Sequence, residues 1–169
     1  SKTSGQVTYR GHDISELPSR EISRQGMART FQHVKMIPDM TVLENVALGA
    51  YTRGETGVIS SMLALNKVEE QRFMKEAQHQ LERIGMGQYL HEQAGNLAMG
   101  PQRLMEIARA LCCDPALLLL DEPAAGLRHK EKQDLVKVLR QLQNEGMSIL
   151  LVEHDMDLVM DVCDHLVVM

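Results

Sequence analysis

The stretch ALLLLDEPAAGL, from Ala116 to Leu127, ends a run of leucines on two adjacent carboxylates, Asp121 and Glu122. A continuous apolar run is typical of a strand that is buried on both faces of a parallel sheet. Carboxylates at the end of such a strand are costly to bury unless a cation, a proton or water accompanies them. The stretch therefore predicts a parallel sheet with an acidic site at the carboxyl end of one strand.

Composition and charge narrow the class of protein. The chain has 169 residues, of which 44% are hydrophobic, so it can form the core of one domain or of part of one. Its formal net charge of -5 argues against nucleic acid as the main partner, because phosphate backbones are bound by basic surfaces. The three cysteines, two of them adjacent, favour a reducing compartment over a disulfide framework. No apolar run approaches the roughly 20 residues that span a bilayer, so contact with a membrane is expected through a partner.

The last third of the chain alternates helical and strand patterns. Helices are predicted over 101–112, 130–146 and 155–163, and strands over 116–122, 147–155 and 164–169. The apolar strand over 147–155 is predicted to be buried, like the strand over 116–122. This alternation indicates an open α/β sheet, in which chemistry is found at the carboxyl ends of the strands. Asp121, Glu122 and His154 all fall at such ends, on two different strands.

The first third predicts small elements. Residues 5–11 alternate apolar and polar residues between glycines and suit an edge strand or hairpin arm. A short helix ending at Gly26 and a strand over 27–32 follow. The polar, glycine-containing segment 52–57 is interpreted as a loop.

The middle of the chain is predicted to be helical. Thr41 with Glu44, and Asn66 with Glu69, each have the spacing of a capping box, which marks the start of a helix. Gly85 is a predicted stop for the second helix.

The acidic strand end has a chemical and a structural interpretation. Asp121 can hold Mg²⁺ beside nucleotide phosphates, and Glu122 can orient or deprotonate an attacking water. His154 can donate to a terminal phosphate, and Gln32 can contact a metal-bound water. The structural alternatives are solvated acids that end a strand, a histidine that caps the next strand, and a surface glutamine.

A second candidate feature is NLAMGPQRLMEIARAL, in which a short loop with Gly100 opens a helix. Helix N-termini present N–H groups and the positive end of a dipole, which suit phosphate. The alternative is an ordinary helix start near Asn96.

The order of these features resembles the nucleotide-binding domain of ABC transporters, and the resemblance covers nearly the whole chain. The segments ARTFQHVKMIPDMTVLENV, EIARAL, LLLLDEPAAGL and LLVEHDMDLVM look most like the ATPase subunits of branched-chain amino-acid importers. The resemblance implies a P-loop NTPase-like core, a parallel sheet with a helical subdomain, incomplete at both ends. It divides the chain into the N-terminal part of the core with the Q-loop (1–37), the helical subdomain (38–96) and the signature, Walker B, D-loop and H-loop part (97–169).

The resemblance also implies roles for single residues. Gln32 matches the Q-loop glutamine that contacts the metal, Asp121 the Mg²⁺-associated aspartate, Glu122 the catalytic base and His154 the switch histidine. The signature motif covers the partner subunit's ATP in a dimer, and the D-loop links the two ATP sites. The matching residues are Leu97, Ala98, Met99, Gly100 and Gln102 for the signature and Gly126, Leu127 and Arg128 for the D-loop.

The function implied by the resemblance is ATP hydrolysis coupled to transport. ATP and Mg²⁺ are the implied ligands, and the implied partners are transmembrane permease subunits and a second ATPase subunit or a homodimer. The implied location is the cytoplasmic face of the inner membrane, reached through the permease. Nucleic acid is not an expected partner.

The sequence departs from the family pattern at several positions. Ala98, Met99 and Pro101 replace the serine, first glycine and glutamine of the usual signature, and Arg128 reverses the usual D-loop charge. Loss of the serine hydroxyl removes a phosphate donor worth about 1–2 kcal/mol. We interpret these departures as the mark of a variant within the importer subgroup. One such variant would be a chain in which the permease and the ATPase are fused.

The P-loop pattern GxxxxGK[ST] occurs nowhere in the sequence. That loop holds the nucleotide phosphates in the family, so we expect an internal piece of an ATPase that binds ATP poorly by itself. Two alternatives stay open, a non-catalytic fragment that docks on a permease and an ABC-type ATPase that acts on DNA or ribosomes.

Overall fold

A three-stranded parallel sheet forms the centre of the computed structural model, which describes residues 5–30, 36–51 and 67–168. The strands are β3 (Met27–Arg29), β4 (Leu117–Asp121) and β5 (Ser148–Val152), in the order β3-β4-β5. Parallel strands that are neighbours in a sheet need long crossover connections. Helices lie in the connection from β3 to β4 and in the connection from β4 to β5. The predicted α/β class is confirmed.

A small antiparallel hairpin precedes the sheet and consists of β1 (Thr8–Tyr9) and β2 (His12–Asp13). Six helices are described, and two 3₁₀ turns, Gly87–Tyr89 and Ala94–Asn96, lie between the third and the fourth. The helices are α1 (Ser19–Arg24), α2 (Val42–Tyr51), α3 (Lys67–Arg83), α4 (Met99–Leu111), α5 (His129–Asn144) and α6 (Met156–Val162).

The start of α2 has the predicted capping box. Glu44 accepts hydrogen bonds from the backbone N–H and the hydroxyl of Thr41, both at 2.7 Å, and its own N–H donates to the Thr41 hydroxyl at 3.2 Å. The bonds from Thr41 lower the pKa of Glu44. The second predicted cap, Asn66, and the predicted loop 52–57 lie outside the described residues.

The core lies between the inner face of the sheet and the helices. Leu118 and Leu120 of β4 point into it and are almost completely buried. Helices α2 and α4 approach each other very closely at Gly49, where a Cβ would lie 2.1 Å from the carbonyl oxygen of Arg109. A larger residue at position 49 would therefore separate these two helices.

Two predictions about strands are wrong. The segment 147–155 was expected to be buried on both faces, but Leu150 and Val152 of β5 are 54% and 49% exposed, because nothing in the described part of the chain covers that face. The strand expected over 164–169 is absent from residues 164–168, and Val167 and Val168 are exposed. An apolar sequence forms a strand only where a neighbour pairs with its backbone, and no described strand does so here.

Candidate functional site

The carboxyl end of β4 carries the two predicted acids. Asp121 ends the strand opposite Val152 of β5, and the next backbone N–H, that of Glu122, donates to the carbonyl of Val152 at 2.8 Å. Glu122 has a φ of 46°, in the left-handed region that residues with a side chain rarely adopt. Such backbone persists only where its surroundings hold it, and it is concentrated at functional sites. The chain thus turns sharply at Glu122.

The two acids face different partners. The Asp121 carboxylate accepts a hydrogen bond from the guanidinium of Arg29, at the end of β3, over 2.9 Å. The Glu122 Oε1 atom lies 3.9 Å from the Nδ1 atom of His154, which follows β5. The structure therefore brings Glu122 and His154 together, on two neighbouring strand ends, while Asp121 is held by a basic residue from the third.

This edge is accessible to a ligand. The side chains of Asp121 and Glu122 are about one-third exposed and that of His154 is 75% exposed. A carboxylate beside an imidazole can position a water molecule and accept its proton. We call the group Arg29, Asp121, Glu122 and His154 the sheet-edge cluster.

Glu153 was not predicted, although it lies at the centre of this region. Its side chain is 1% exposed, and it accepts hydrogen bonds from the backbone N–H groups of Ala124 at 2.8 Å, His154 at 2.9 Å and Asp155 at 3.2 Å. The signal was present in the sequence, since Glu153 is an acid that directly follows an apolar strand. The same reasoning had identified Asp121.

The predicted phosphate-binding loop starts α4. Ala98 is the N-cap residue and makes no side-chain capping bond, as expected of an alanine. The side chain of Gln102 donates to the Leu97 carbonyl at 2.9 Å and so closes the loop on the first turn of α4. Leu97 is buried, whereas Met99 is 48% exposed.

A carboxylate from another helix lies against this loop. A Cβ at Gly100 would be 2.8 Å from the Cγ of Glu131 in α5. Glu131 accepts a hydrogen bond from the backbone N–H of Arg128 at 2.8 Å and contacts the Arg128 guanidinium at 3.2 Å. Bonds from the Arg128 backbone and side chain, with a smaller contribution from the Gly100 backbone, lower the pKa of Glu131. The N-termini of α4 and α5 therefore converge on one carboxylate, which their dipoles favour.

The predicted D-loop residues complete this contact. Gly126 has a φ of 77°, and a Cβ there would lie 2.8 Å from the sulfur of Met99. Leu127 is buried and Arg128 is 81% exposed. The predicted signature and D-loop residues thus contact each other within one chain. We call Met99, Gly100, Gly126, Arg128 and Glu131 the α4–α5 junction.

Glu131 was also missed by the sequence analysis. Its signal was the capping-box spacing, three residues after Arg128, the N-cap residue of α5. The pattern was not recognised because its first position, usually serine or threonine, is an arginine, Arg128.

The sheet-edge cluster suits a magnesium ion that is shared with phosphates. Mg²⁺ is commonly bound through one or two carboxylates together with substrate phosphates and water. Within residues 5–30, 36–51 and 67–168, no group of three or more His, Cys, Asp or Glu residues could hold a metal alone. Asp121 offers a single, partly exposed carboxylate, which fits the shared arrangement. The other predicted ligand, Gln32, lies outside the described residues.

The structure has a parallel α/β sheet with two carboxylates and a histidine at its carboxyl edge, and a helix that starts at a glycine-containing loop. This combination is typical of a domain of the ATP-binding-cassette class. The chain belongs to the ABC transporter family, since residues 1–125 match the model of that family. It is 41% identical over 170 residues to the high-affinity branched-chain amino acid transport ATP-binding protein LivG of Salmonella typhimurium. It is 38% identical over 169 residues to the corresponding BraF protein of Pseudomonas aeruginosa. Both alignments cover 98% of this chain and 66% of the relative, so the chain spans about two thirds of the length of these proteins.

Solved structures agree with this assignment. A nucleotide-free ATP-binding cassette from an ABC transporter aligns with a TM-score of 0.82 at 30% identity, over 96% of this chain and 64% of the other. The ADP conformation of such a cassette aligns with a TM-score of 0.81 at the same identity and coverage. The predicted family and the predicted fold are both confirmed. None of the helices in the described ranges is long and apolar enough to cross a membrane.

Proposed function

We propose that the protein hydrolyses ATP as the subunit or domain that energises an ABC importer of branched-chain amino acids. The names of the LivG and BraF relatives support the transport class. The observation that carries the catalytic part is the placement of Glu122 beside His154, 3.9 Å apart at the carboxyl edge of the sheet. A pure docking module has no use for such a pair.

The chemistry proposed for this edge is in-line attack of water on the γ-phosphate of ATP. Glu122 holds the water and accepts its proton as the new P–O bond forms and the bond to the β-phosphate oxygen breaks. His154 donates a hydrogen bond to the γ-phosphate and stabilises the charge that develops there. Its 75% exposure leaves the imidazole accessible to a phosphate.

Magnesium would be held by Asp121 and Gln32 together with the phosphates, and it would supply positive charge against the phosphate oxygens. In the described residues Asp121 is bonded to Arg29. This contact with Arg29 limits the rotation of the carboxylate.

A second subunit is proposed to complete the site. The α4 N-terminus, with Leu97, Ala98, Met99, Gly100 and Gln102, would face the partner subunit's ATP, and Gly126, Leu127 and Arg128 would lie at the interface of the two subunits. Residues 38–96, which lie in the sequence between the core segments 1–37 and 97–169, would dock on the permease. This arrangement would put the protein at the cytoplasmic face of the membrane, held there by the permease.

The test is transport by the full-length native protein, reconstituted in vesicles with its permease and binding protein. We expect ATP-dependent uptake of leucine and no uptake of lysine, with ATP turnover that rises when leucine-loaded binding protein is present. Binding to the permease without ATP turnover would replace this proposal with the non-catalytic docking alternative. Turnover stimulated by lysine but not by leucine would overturn the solute class alone.

A further inference from the structure

We propose that Glu153 is a positioning residue, whose buried carboxylate ties the loop after β4 to the loop after β5 and thereby sets Glu122 against His154. The inference deepens the proposed function and rests on it, because the alignment of Glu122 with His154 matters only if both act on ATP. The Glu153 side chain is 1% exposed, and its Oε2 atom lies 3.7 Å from the Nδ1 atom of His154.

The carboxylate bridges two strand ends with its two oxygens. Oε1 accepts from the backbone N–H of Ala124, two residues after Glu122, over 2.8 Å. Oε2 accepts from the backbone N–H groups of His154 at 2.9 Å and Asp155 at 3.2 Å. One rigid side chain therefore spans the two loops that carry the proposed catalytic pair.

The hydrogen bonds compensate for the burial of the Glu153 carboxylate. A buried charge is tolerated when hydrogen bonds satisfy it, and bonds from N–H groups to a carboxylate are among the strong ones. A cation is also close: Asp155 first, and Glu153 to a lesser degree, raise the pKa of the Lys132 ammonium group. Glu153 thus has both donors and a nearby positive charge.

Glutamine cannot replace this carboxylate, although it has nearly the same shape and volume. Its amide has one acceptor oxygen and one donor NH₂ group. Whichever way the amide is turned, the NH₂ group faces a backbone N–H donor, either that of Ala124 or those of His154 and Asp155. E153Q must therefore lose the bond across the two loops or the bonds within the second loop.

The experiment uses full-length native protein with the E153Q substitution. A misplacement of about 1 Å can cost roughly 100-fold in rate, so we expect kcat for ATP hydrolysis to fall about 10-fold to 100-fold while KM for ATP stays within about twofold. The single amide oxygen keeps more bonds when it accepts from the two N–H groups of His154 and Asp155. The Ala124 N–H then loses its acceptor, so hydrogen exchange of the peptide covering residues 122–127 should become faster.

The matched control is E145Q, which also removes a carboxylate that accepts hydrogen bonds, here from the side chains of Arg83 and Gln141 just after the end of α5. We expect E145Q to lower the midpoint of thermal unfolding without changing kcat by more than about twofold. An E153Q protein that is only less stable, with kcat like that of E145Q, would show a structural role and overturn the proposal. Unchanged exchange both at 122–127 and at 153–155 would equally exclude the bridge. If the native protein hydrolyses no ATP, the proposed function fails, while the exchange measurement still decides whether Glu153 joins the loops.

Discussion

The α4–α5 junction and the sheet-edge cluster both place a glutamate beside helix or strand termini, yet they differ in how tightly they are packed. At the junction a single Cβ on Gly100 would lie 2.8 Å from Glu131, whose side chain is 15% exposed. At the sheet edge Glu122 and His154 are 3.9 Å apart, and 33% and 75% exposed. The difference suggests that, within one chain, the junction contributes mainly to stability and the edge carries the hydrolytic chemistry. Substitutions should separate the two.

The largest expected effect is on catalysis at the sheet edge. E122Q removes the proposed base, and general-base catalysis contributes about 100-fold to 10,000-fold, so we expect kcat to fall at least about 100-fold. The midpoint of thermal unfolding should hardly change, because the side chain is one-third exposed and its backbone bond to Val152 remains. Steady-state ATP hydrolysis by the full-length protein, with thermal unfolding of the same samples, measures both.

The matched control for this prediction is E21Q, an exposed glutamate in α1 outside both groups. Its turnover should stay within about twofold of wild type. If E122Q kept more than one-tenth of the wild-type kcat, Glu122 would not be the base. If it instead unfolded the protein, the division between edge and junction would be wrong.

The next largest effect is on stability at the junction. G100A places a methyl group against the Glu131 side chain, and overpacking of this kind costs about 1–3 kcal/mol of unfolding free energy. G87A is the control, because its Cβ would meet the nearest atom, Glu82 Cγ, at an ordinary 3.5 Å. Urea unfolding of the two variants gives the comparison.

A double substitution tests the cause of the G100A effect. In an E131A background two of the three close contacts of the new methyl group disappear, so G100A should cost less stability there than in wild type. Equal costs in both backgrounds would show that Glu131 is not the obstacle.

Much of the sheet edge could be predicted because the information is local. An apolar run followed by acids places Asp121 and Glu122 at a strand end, and the same pattern places His154 at the next one. Arg29, Glu131 and Glu153 were missed because their roles depend on which groups approach them after folding. These are the Asp121 carboxylate for Arg29 and backbone N–H groups for the two glutamates. Arg29 and Asp121 are 92 residues apart in the sequence.

The two wrong strand predictions have a related cause. Apolar residues show that a surface can be buried, but they do not show whether a neighbour covers it. Val152 lies in a strand, as predicted, and is nevertheless half exposed, and Val167 is more exposed still. Whether a segment at the rim of a sheet forms a buried strand depends on the neighbouring strands and helices as well as on the local sequence.

A smaller effect is expected from the pair that links α5 to the start of α6. Lys132 lies 2.5 Å from Asp155, whose pKa is lowered mainly by this hydrogen bond, while the pKa of Lys132 is raised by the same bond. Because the folded pKa of Asp155 lies below its ordinary value of 3.8, its contribution to stability is complete above pH 3.8 and is lost as the pH falls through the folded value. Because the folded pKa of Lys132 lies above its ordinary value of 10.5, its contribution is complete below pH 10.5 and is lost as the pH rises through the folded value.

We therefore expect K132M to lower the midpoint of thermal unfolding at pH 7 and to approach wild type at pH 3. K137M is the control, since it breaks a more exposed pair with Asp134 on α5 itself and should have a smaller effect at pH 7. A K132M difference that stays the same at pH 7 and pH 3 would exclude the ion pair as its cause. Thermal unfolding at pH 7, 5 and 3 is sufficient.

The smallest effect is expected at Arg128, where the junction reaches solvent. Its guanidinium is 81% exposed and 3.2 Å from Glu131, so R128A should not shift the unfolding midpoint measurably. R128P should be less stable than R128A, because it also removes the backbone N–H that Glu131 accepts at 2.8 Å, although the φ of -74° suits proline. Thermal unfolding of the two variants compares a side-chain contact with a backbone contact at one carboxylate. Equal midpoints for R128A and R128P would mean that the Glu131 bond to the backbone does not hold the start of α5.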